Sequence, residues 1–434
     1  MTSRTTRARR MAVAVVSSVA VVTMAACSSS SSSGSSAGSD NSSGSGSASG
    51  FNVNTGDCNN PNVNKVVTGS WTVGYSLPLS GPVAGVVEYS MEGWKARIKA
   101  FNDAGGIDGV KINVKYLDDQ FTPSMAKTNV TQFIESDHVD SLITFGTGSV
   151  GAMADLQNAD CVPLLYPSSS VEQYRDISNY PWTVQFLPSG TAEARYDVKY
   201  ILSRFPSGAT VGIAQDQTQS GLGEYKAFVN AAKGTKLDIS VVADETDPNA
   251  AATKLAAGKV EVVYNAGITN ECGPLVTALQ RVGFTPKLVL NPSNCADSTG
   301  YVQAGEAANG NVVPSYLKNP ADPALANDPG VKEYLSQVTT ANKDNSIAVA
   351  GWVQADLLIH TLQLAAKMPG GLTQANAIRA ARNMTYASPM LPNGISWISK
   401  PNELIGMSGF QTLVWNAATK TFTTQGGIID LSAS

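Results

Sequence analysis

The sequence predicts an α/β protein with two lobes, each built on a mainly parallel β-sheet that helices cover on both faces. Three observations lead to this prediction. Strand-like and helix-like patterns alternate with short connections in the first half of the chain, and the same rhythm restarts near 182–190. The length of 434 residues favours two or three domains, and a hydrophobic content of 43% suffices for real cores.

The clearest unit lies between Trp71 and Asp119. The segment WTVGYS alternates apolar and polar residues like a half-buried strand. Apolar residues then recur at steps of four and three, as on one face of a helix: Val87, Met91, Trp94, Ile98 and Phe101. The strand VKINVKYL completes a βαβ unit with parallel strands. Because ligands of such sheets bind beyond the carboxyl ends of the strands, the turn at Ser80 and Gly81 is a candidate binding surface.

The remaining elements follow the same alternation. The first lobe continues with a helix at about 123–136, the strand VDSLITF, a glycine-rich turn at 146–149, a further helix and the strand VPLLYP. The second lobe begins with a helix at 191–204 and has the predicted strands ATVGIAQD, LDISVVAD, KVEVVYNAG and PKLVLN. The helix at 347–367 is apolar on more than one face and is expected to be buried. The segments GISWIS, FQTLVWN and KTFTTQGGIIDL are predicted to be short antiparallel strands.

The N-terminus has the pattern of a bacterial export signal. Residues 1–26 combine four arginines with an apolar run that is too short to span a bilayer comfortably. The sequence Met24-Ala25-Ala26-Cys27 resembles a lipobox, which predicts a lipid on Cys27, with plain cleavage as the alternative. Nineteen of the 23 residues at 28–50 are serine or glycine, which is typical of a flexible tether. We therefore expect an extracytoplasmic protein that its N-terminal lipid anchors to the cell membrane.

Charge and motif content exclude several classes of function. Once the four signal arginines are removed from the 30 basic residues, 34 acidic residues leave a formal charge of −8. An acidic surface without basic blocks argues against a nucleic-acid partner. The chain has no H-E-x-x-H and no C-x-x-C motif and contains only two histidines, so no cofactor or metal site is indicated.

The cysteines predict two disulfide bonds. Cys27 ends the export signal and leaves Cys58, Cys161, Cys272 and Cys295, which allow three pairings. An exported location favours disulfides, with four free thiols as the alternative. Cys272 and Cys295 each follow a predicted strand and belong at one rim of a sheet, whereas Cys58 and Cys161 precede strands. The expected pairs are therefore Cys58–Cys161 and Cys272–Cys295.

The order and spacing of several short motifs resemble the solute-binding proteins of branched-chain amino-acid ABC importers. These motifs span roughly residues 70–430: PLSGP at 78–82, EG at 92–93, NDAGGIDG at 102–109, YLDD at 116–119, the block 139–149, VP at 162–163, SGLG at 220–223 and GF at 283–284. The resemblance implies a type I periplasmic-binding fold, in which two Rossmann-like lobes are joined by a three-strand hinge. It also implies that ligand is trapped in the cleft between the lobes.

The resemblance implies part of the binding site in the first lobe. The loop that contains Ser80 and Gly81 would line the cleft. The turn Thr147-Gly148-Ser149 matches the one whose hydroxyls and backbone N–H groups hold a ligand carboxylate. Elementary electrostatics agrees with this role, because a helix N-terminus with free amides attracts anions.

The remaining implied site residues come from both lobes. Ser168, Ser169 and Ser170 match a second cluster of hydrogen-bond donors after the next strand. In the far lobe, Glu271 stands in the place of an acid that takes the ligand ammonium. Ser220 stands where the family often has tyrosine, which opens the site to amides, urea-like solutes and aromatic acids as well as amino acids.

Each of these residues also has a purely structural interpretation. The hydroxyl residues of the turns are alternatively helix caps, and Glu271 is alternatively only an acid in the first turn of a helix. Trp94 and Trp352 are predicted to be core residues rather than ligand-stacking groups.

A rival motif suggests a different chemistry. Gly146, Gly148 and Gly151 form a G-x-G-x-x-G pattern between a strand and a helix, which on its own indicates a dinucleotide site. The pattern follows the third strand of its sheet, however, whereas the dinucleotide fingerprint opens the first βα turn. An oxidoreductase is therefore disfavoured.

The sequence accordingly predicts a monomeric, non-catalytic binding protein that passes a small polar solute to an ABC permease in the membrane. The solute would be an amino acid, an amide, a urea-like molecule or a related carboxylate. The predicted organisation is an anchor, tether and capping segment at 27–68, one lobe at 69–187 and 315–385, and a second at 188–314 and 386–434. The alternatives are a ligand-sensing receptor that feeds a signalling system and, more remotely, an exported α/β enzyme.

Overall fold

The computed structural model describes residues 51–407 and 409–431. The predicted export signal, the lipidated Cys27 and the serine- and glycine-rich segment at 28–50 lie outside the described residues.

The described chain alternates strands and helices as the sequence predicts. The strands are β1 (Ser70–Leu77), β2 (Lys111–Asp118), β3 (Ser141–Thr144), β4 (Leu164–Leu165), β5 (Thr183–Val184), β6 (Ala209–Gln215), β7 (Leu237–Asp244), β8 (Val262–Ala266), β9 (Leu288–Leu290), β10 (Val312–Ser315), β11 (Met384–Tyr386), β12 (Trp397–Lys400), β13 (Glu403–Gly406), β14 (Gly409–Asn416) and β15 (Thr421–Asp430). The α-helices are α1 (Ala84–Asp103), α2 (Pro123–Thr131), α3 (Thr147–Ala159), α4 (Gly190–Arg204), α5 (Gln219–Ala232), α6 (Pro248–Ala257), α7 (Cys272–Arg281), α8 (Ser298–Ala304), α9 (Pro329–Gln337), α10 (Ser346–Ala366) and α11 (Gln374–Ala381).

Two large sheets organise these strands. The first sheet has the order β2-β1-β3-β4-β5, and all its strand pairs are parallel. The second has the order β15-β14-β10-β9-β8-β6-β7, parallel from β10 to β7, with β14 and β15 antiparallel at one edge. A small third sheet, β11-β12-β13, is antiparallel. The antiparallel strands predicted for the C-terminal segments are therefore confirmed.

Helices α1 and α10 cross with their backbones almost touching. A Cβ atom on Gly93 of α1 would lie 1.9 Å from the carbonyl oxygen of Ala348, and one on Gly351 of α10 would lie 1.9 Å from that of Ser90. Although α10 is long and apolar enough to cross a membrane by composition, 72% of its apolar window is buried inside the fold. At its N-terminus α10 also contacts the segment after β9, where the side chain of Asn345 donates to Asp297 at 2.8 Å. The prediction of a buried helix is confirmed.

The predicted core tryptophans are buried. Trp94 on α1 and Trp352 on α10 are 1% and 0% exposed, and both belong to one core cluster with the strands of the first sheet. The third sheet also contacts this core, because the ring of Trp397 packs edge-on against Tyr166, with 5.2 Å between the ring centres.

The segment that leaves the first sheet is tied to the third sheet by a buried cation. Arg175 donates from Nη1 to the carbonyl oxygen of Leu404 at 3.2 Å and from Nη2 to that of Leu187. Leu187 lies between β5 and α4, where the chain passes from the first sheet to the second. The guanidinium therefore fixes one connection between the two sheets to a strand of the third.

Both predicted disulfide pairs are present in the structure. Cys58 is bonded to Cys161, which follows α3 at the amino edge of the first sheet. Cys272, the first residue of α7, is bonded to Cys295, which lies just after β9. The assignment of the cysteines to opposite rims is confirmed.

Candidate functional site

A cavity of about 90 Å³ lies where the carboxyl edges of the two large sheets face each other. The first sheet contributes lining residues after β1, β2, β3 and β4, and the second sheet contributes them after β6, β8 and β9. Since about 10–15 Å³ measured in this way holds one water, the cavity has room for roughly six to nine water-sized groups. This is the size of a small organic molecule.

Most of the lining is apolar. Phe121 and Phe145 stand together on the first-sheet side, with 6.5 Å between their ring centres. Phe186 packs edge-on against Tyr316 at 6.0 Å, where the chain runs between the sheets. Ile268 adds an aliphatic surface from the second sheet. Such a lining favours a ligand with an aliphatic or aromatic body.

Three helix N-termini contribute positive backbone dipoles to the cavity. Gly146, Ser220 and Ser346 all belong to the lining, and they lie at the N-termini of α3, α5 and α10 respectively. Each helix N-terminus carries a partial positive charge and free N–H groups, so three of them around one space favour a carboxylate or carbonyl oxygen. Among the described residues, no lining side chain is charged, so backbone dipoles supply the positive potential.

Hydroxyl groups connect the two sides of the cavity. The Oγ1 atom of Thr147 lies 3.1 Å from Oγ of Ser169, on the first-sheet side, and 3.1 Å from Oγ of Ser220, on α5 of the second sheet. The side chain of Gln354 on α10 donates to Oγ of Ser168 at 2.9 Å. The pair Thr147–Ser220 is therefore a direct hydrogen bond between the two halves of the site.

The second-sheet side of the cavity, here called the far wall, is formed by residues 268–270 and 293–294. It contains acceptor groups that the sequence interpretation missed. The carboxylate of Glu193 accepts from the backbone N–H of Ser293 at 2.5 Å and from its hydroxyl at 2.7 Å. Glu224 accepts from the amide nitrogen of Asn294 at 3.3 Å. The amide oxygen of Asn294 is buried and has no hydrogen-bond partner within the described residues. Ser293 and Asn294 line the cavity, so their free oxygen lone pairs can accept from an N–H donor.

Burial raises the pKa of the two acids behind this wall, Glu193 and Glu224. It raises the pKa of Glu193 above its ordinary value, against the lowering effect of the two bonds from Ser293. It also raises the pKa of Glu224 well above the usual range, and the nearby Glu193 and Asp197 add to the shift. A cationic group in the cavity would oppose both shifts.

The predicted first-lobe residues occupy different positions around the cavity. Ser168 lines it, and Thr147 and Ser169 lie directly behind the lining. Ser170 is buried beside them, and the hydroxyl of Ser149 points to Asp119 at 3.5 Å. The fold thus brings these hydroxyl residues together at the start of α3 and the end of β4.

Ser80 and Gly81, in the turn after β1, lie outside the cavity lining. Ser80 is exposed and donates from its hydroxyl to Asp118 at 2.6 Å, which orders the turn. Gly81 adopts a φ of 90°, a left-handed conformation that favours glycine. Gly148 packs near Pro123, and a Cβ there would lie 3.2 Å from the proline ring.

Glu271 lies behind the loop that forms part of the far wall. One of its carboxylate oxygens accepts from the backbone N–H of Ile268 at 3.0 Å, and Ile268 lines the cavity. Burial, with a contribution from the neighbouring Asp216, raises the pKa of Glu271 to about 7. The side chain therefore supports the wall and is not part of the lining itself.

The glycines of the G-x-G-x-x-G pattern have packing roles. Gly146 has a φ of 94°, and a Cβ there would lie 2.6 Å from the ring of Phe121. A Cβ on Gly151 would lie 2.4 Å from the hydroxyl of Tyr174. These close approaches explain both glycines without a nucleotide.

Comparisons with known proteins agree on one kind of protein. A family model described as periplasmic binding protein matches residues 70–404. The Leu/Ile/Val-binding protein homolog 3 of Brucella melitensis is 27% identical over 263 residues, which cover 58% of this chain and 69% of that protein. The leucine-, isoleucine-, valine-, threonine-, and alanine-binding protein of Pseudomonas aeruginosa is 25% identical over 277 residues, or 62% of this chain and 71% of that one.

Solved structures share the fold at low sequence identity. A branched chain amino acid ABC transporter structure from Thermus thermophilus, with bound valine, superposes with a TM-score of 0.74 at 17% identity, covering 83% of this chain and 96% of the other. An ABC transporter substrate binding protein from Aeropyrum pernix also gives 0.74, at 18% identity, covering 84% and 97%.

Proposed function

Because the chain belongs to the periplasmic binding protein family, we propose that it is an extracytoplasmic binding protein that delivers a small organic solute to an ABC permease. The observation that carries the proposal is the cavity between the carboxyl edges of the two large sheets. Its lining residues bind and orient a molecule, and the proposal requires no catalytic step. We therefore propose a binding role in transport rather than an enzymatic one.

The lining favours a solute with three features. The apolar walls suit an aliphatic or aromatic body, the helix N-termini suit a carboxylate or carbonyl, and Ser293 and Asn294 suit an N–H donor. Leucine, isoleucine and valine are the first candidates, because they combine these features and because the relatives from Brucella and Pseudomonas are named for binding them. Amides and aromatic acids, which the serine at 220 also admits, are the second group.

The proposed binding contacts divide between two layers. Ser168 and Ser220 touch the solute, and the backbone of Thr147-Gly148-Ser149 supplies the positive end of α3. We assign supporting roles to the predicted residues outside the lining. Ser169 and Ser170 hold the hydroxyl cluster, Ser80 and Gly81 shape the rim, and Glu271 holds the far loop.

We also propose that binding closes a hinge. The proposed lobes, one at 69–187 and 315–385 and another at 188–314 and 386–434, each contain one large sheet. We propose one change to this division: β12 and β13 fall within 386–434 but move with the first lobe, because Trp397 packs on Tyr166. A solute shifts the equilibrium only through contacts that are better in the closed state. The hydrogen bond between Thr147 and Ser220 is such a contact, since it joins the two halves.

The proposed delivery also involves a lipid anchor at the N-terminus. A lipid on Cys27 would hold a monomer at the membrane, and the tether would let the closed lobes reach the permease. Replacing Cys27 by alanine should release the protein into the soluble fraction. Retention in the membrane would contradict the anchor.

Thermal unfolding with a panel of solutes tests the binding function. Ligand-free protein is scanned with leucine, isoleucine, valine, leucinamide, urea and phenylacetate. A solute at one hundred times its dissociation constant adds about 2.7 kcal/mol to the free energy of unfolding. We expect the largest shift with the branched-chain amino acids, and a smaller one after Ser168→Ala. No shift with any amino acid, with leucinamide or with phenylacetate, or a larger shift with urea, would contradict the proposed solute class.

A further inference from the structure

Two loops that form the far wall of the cavity are each followed by a cysteine. The residues 268–270 line the cavity and lead into Cys272, and Ser293 and Asn294 line it and lead into Cys295. The two cysteines are 2% and 0% exposed and are joined by a disulfide bond. The covalent link thus lies within a few residues of both lining loops.

Neutral hydrogen bonds also join the same loops directly. The hydroxyl of Thr269 donates to the carbonyl oxygen of Asn294 at 2.9 Å, and the amide nitrogen of Asn294 reaches the carbonyl oxygen of Gly267 at 3.4 Å. Neutral hydrogen bonds beside a solvent-accessible cleft hold such loops only modestly. Glu271 and Glu193 each anchor one loop, but the disulfide links the two loops to each other covalently.

We propose that the disulfide Cys272–Cys295 is a positioning element of the solute site, which holds the two loops at their binding separation before solute arrives. The inference rests on the proposed function and adds a determinant of affinity to it. Without the bond, the separation of the loops would vary until solute binds, and the conformational freedom then lost would lower affinity. The acceptor oxygens of Ser293 and Asn294 would also lose their fixed spacing from Ile268 across the wall.

The second disulfide provides a matched control within the same chain. Cys58–Cys161 joins the segment before β1 to the end of α3, and neither cysteine lines the cavity. Its sequence separation is 103 residues, against 23 for Cys272–Cys295. In the chain-entropy model, the longer loop contributes more to the stability of the folded state. Cys58–Cys161 should therefore contribute more to stability, and Cys272–Cys295 more to the affinity for solute.

The test compares two double variants of the whole chain, Cys58→Ala/Cys161→Ala and Cys272→Ala/Cys295→Ala. L-leucine is titrated into each by calorimetry, and urea unfolding measures stability. We expect the second variant to bind leucine about tenfold more weakly than wild type, and the first to bind it within about twofold although it is the less stable protein. Equal losses of affinity in the two variants, or no loss in the second, would overturn the proposal.

Hydrogen exchange of the unaltered protein keeps the proposal testable if the second variant does not fold. The amides of Ile268 and Ser293, which donate to Glu271 and Glu193, should be protected in ligand-free protein and change little on adding leucine. Rapid exchange that becomes slow only with leucine would overturn the positioning role. If wild type binds neither leucine nor any other amino acid or amide, the proposed function fails. Even then, faster exchange of these loops in Cys272→Ala/Cys295→Ala, but not in Cys58→Ala/Cys161→Ala, would support the positioning role.

Discussion

The hydrogen bond between Thr147 and Ser220 allows a direct test of closure across the cavity. The two hydroxyl oxygens are 3.1 Å apart, and they belong to helices on opposite sides of the site. A neutral hydrogen bond contributes a net of about 0.5–1.5 kcal/mol. If the bond exists only in the closed state, its loss lowers the ratio of closed to open protein, and hence the affinity, about 2–13-fold.

Single substitutions alone would not isolate this bond, because the hydroxyl of Thr147 also contacts Ser169 at 3.1 Å. A double-mutant cycle of Thr147→Val, Ser220→Ala and the combined variant subtracts the loss of affinity that comes from breaking the contact with Ser169. The measurement is the dissociation constant of L-leucine for the four proteins by calorimetry. We expect the two single losses to be non-additive by about 0.5–1.5 kcal/mol, because either substitution alone already breaks the bond.

A buried bond within one half serves as the control. The side-chain amide of Gln157 donates to Oγ1 of Thr183 at 2.7 Å, and both residues belong to the first sheet and its helix. Thr183→Val should lower the free energy of unfolding and leave leucine affinity within about twofold of wild type. Strictly additive losses in the Thr147–Ser220 cycle, or an equal loss of affinity in the control, would refute the role of the hydroxyl pair in closure.

Substitutions at three further positions test the site and the packing around it. Glu193→Ala leaves the N–H and hydroxyl of Ser293 without their acceptor, so we expect a loss of about 2–5 kcal/mol in urea unfolding and weaker leucine binding; Glu193→Gln, which keeps one acceptor, should lose less. Burial raises the pKa of Glu271 to about 7 from an ordinary 4.5, so its contribution to stability is full below pH 4.5 and is lost as pH rises through 7. Glu271→Gln should reduce this pH-dependent loss of stability by about 1–2 kcal/mol, a value that allows for screening because the side chain is partly exposed. The free energy of urea unfolding is measured from pH 4.5 to about pH 8, and the same pH dependence in wild type and variant would contradict the raised pKa of Glu271. Gly351→Ala should cost about 1–3 kcal/mol, because the new methyl group meets the carbonyl oxygen of Ser90, and unaltered thermal unfolding would show that the helices separate freely.

Much of the fold could be predicted from the sequence because its signals are local. Alternating strands and amphipathic helices give a parallel α/β architecture, and the type I periplasmic-binding fold predicted from the motifs is confirmed. The cysteine pairing followed from the side of a strand on which each cysteine lies. By contrast, the packing of Trp397 on Tyr166 joins residues more than two hundred positions apart, and nothing in either local sequence indicates the partner.

The site was predictable only in part. Ser168 and Ser220 follow strands of the predicted sheets and line the cavity. Ser293 and Asn294 also follow a predicted strand, PKLVLN, so the same carboxyl-edge rule could have identified them. The contribution of Ser346 and the rest of the α10 N-terminus could not be predicted, because it depends on where the crossing with α1 directs that helix.

Two sets of groups around the cavity differ in how readily their preference for a solute can change. One set consists of helix N-termini, whose backbone dipoles persist whatever side chains surround them. The far wall depends on Ser293 and Asn294, and on Glu193 and Glu224 behind them, so one substitution there alters charge and hydrogen bonding together. Discrimination between amino acids and acids that lack an amine should therefore reside in the far wall. Substitutions beside the helix N-termini should weaken all carboxylates alike, because each one makes the same contact with the backbone there.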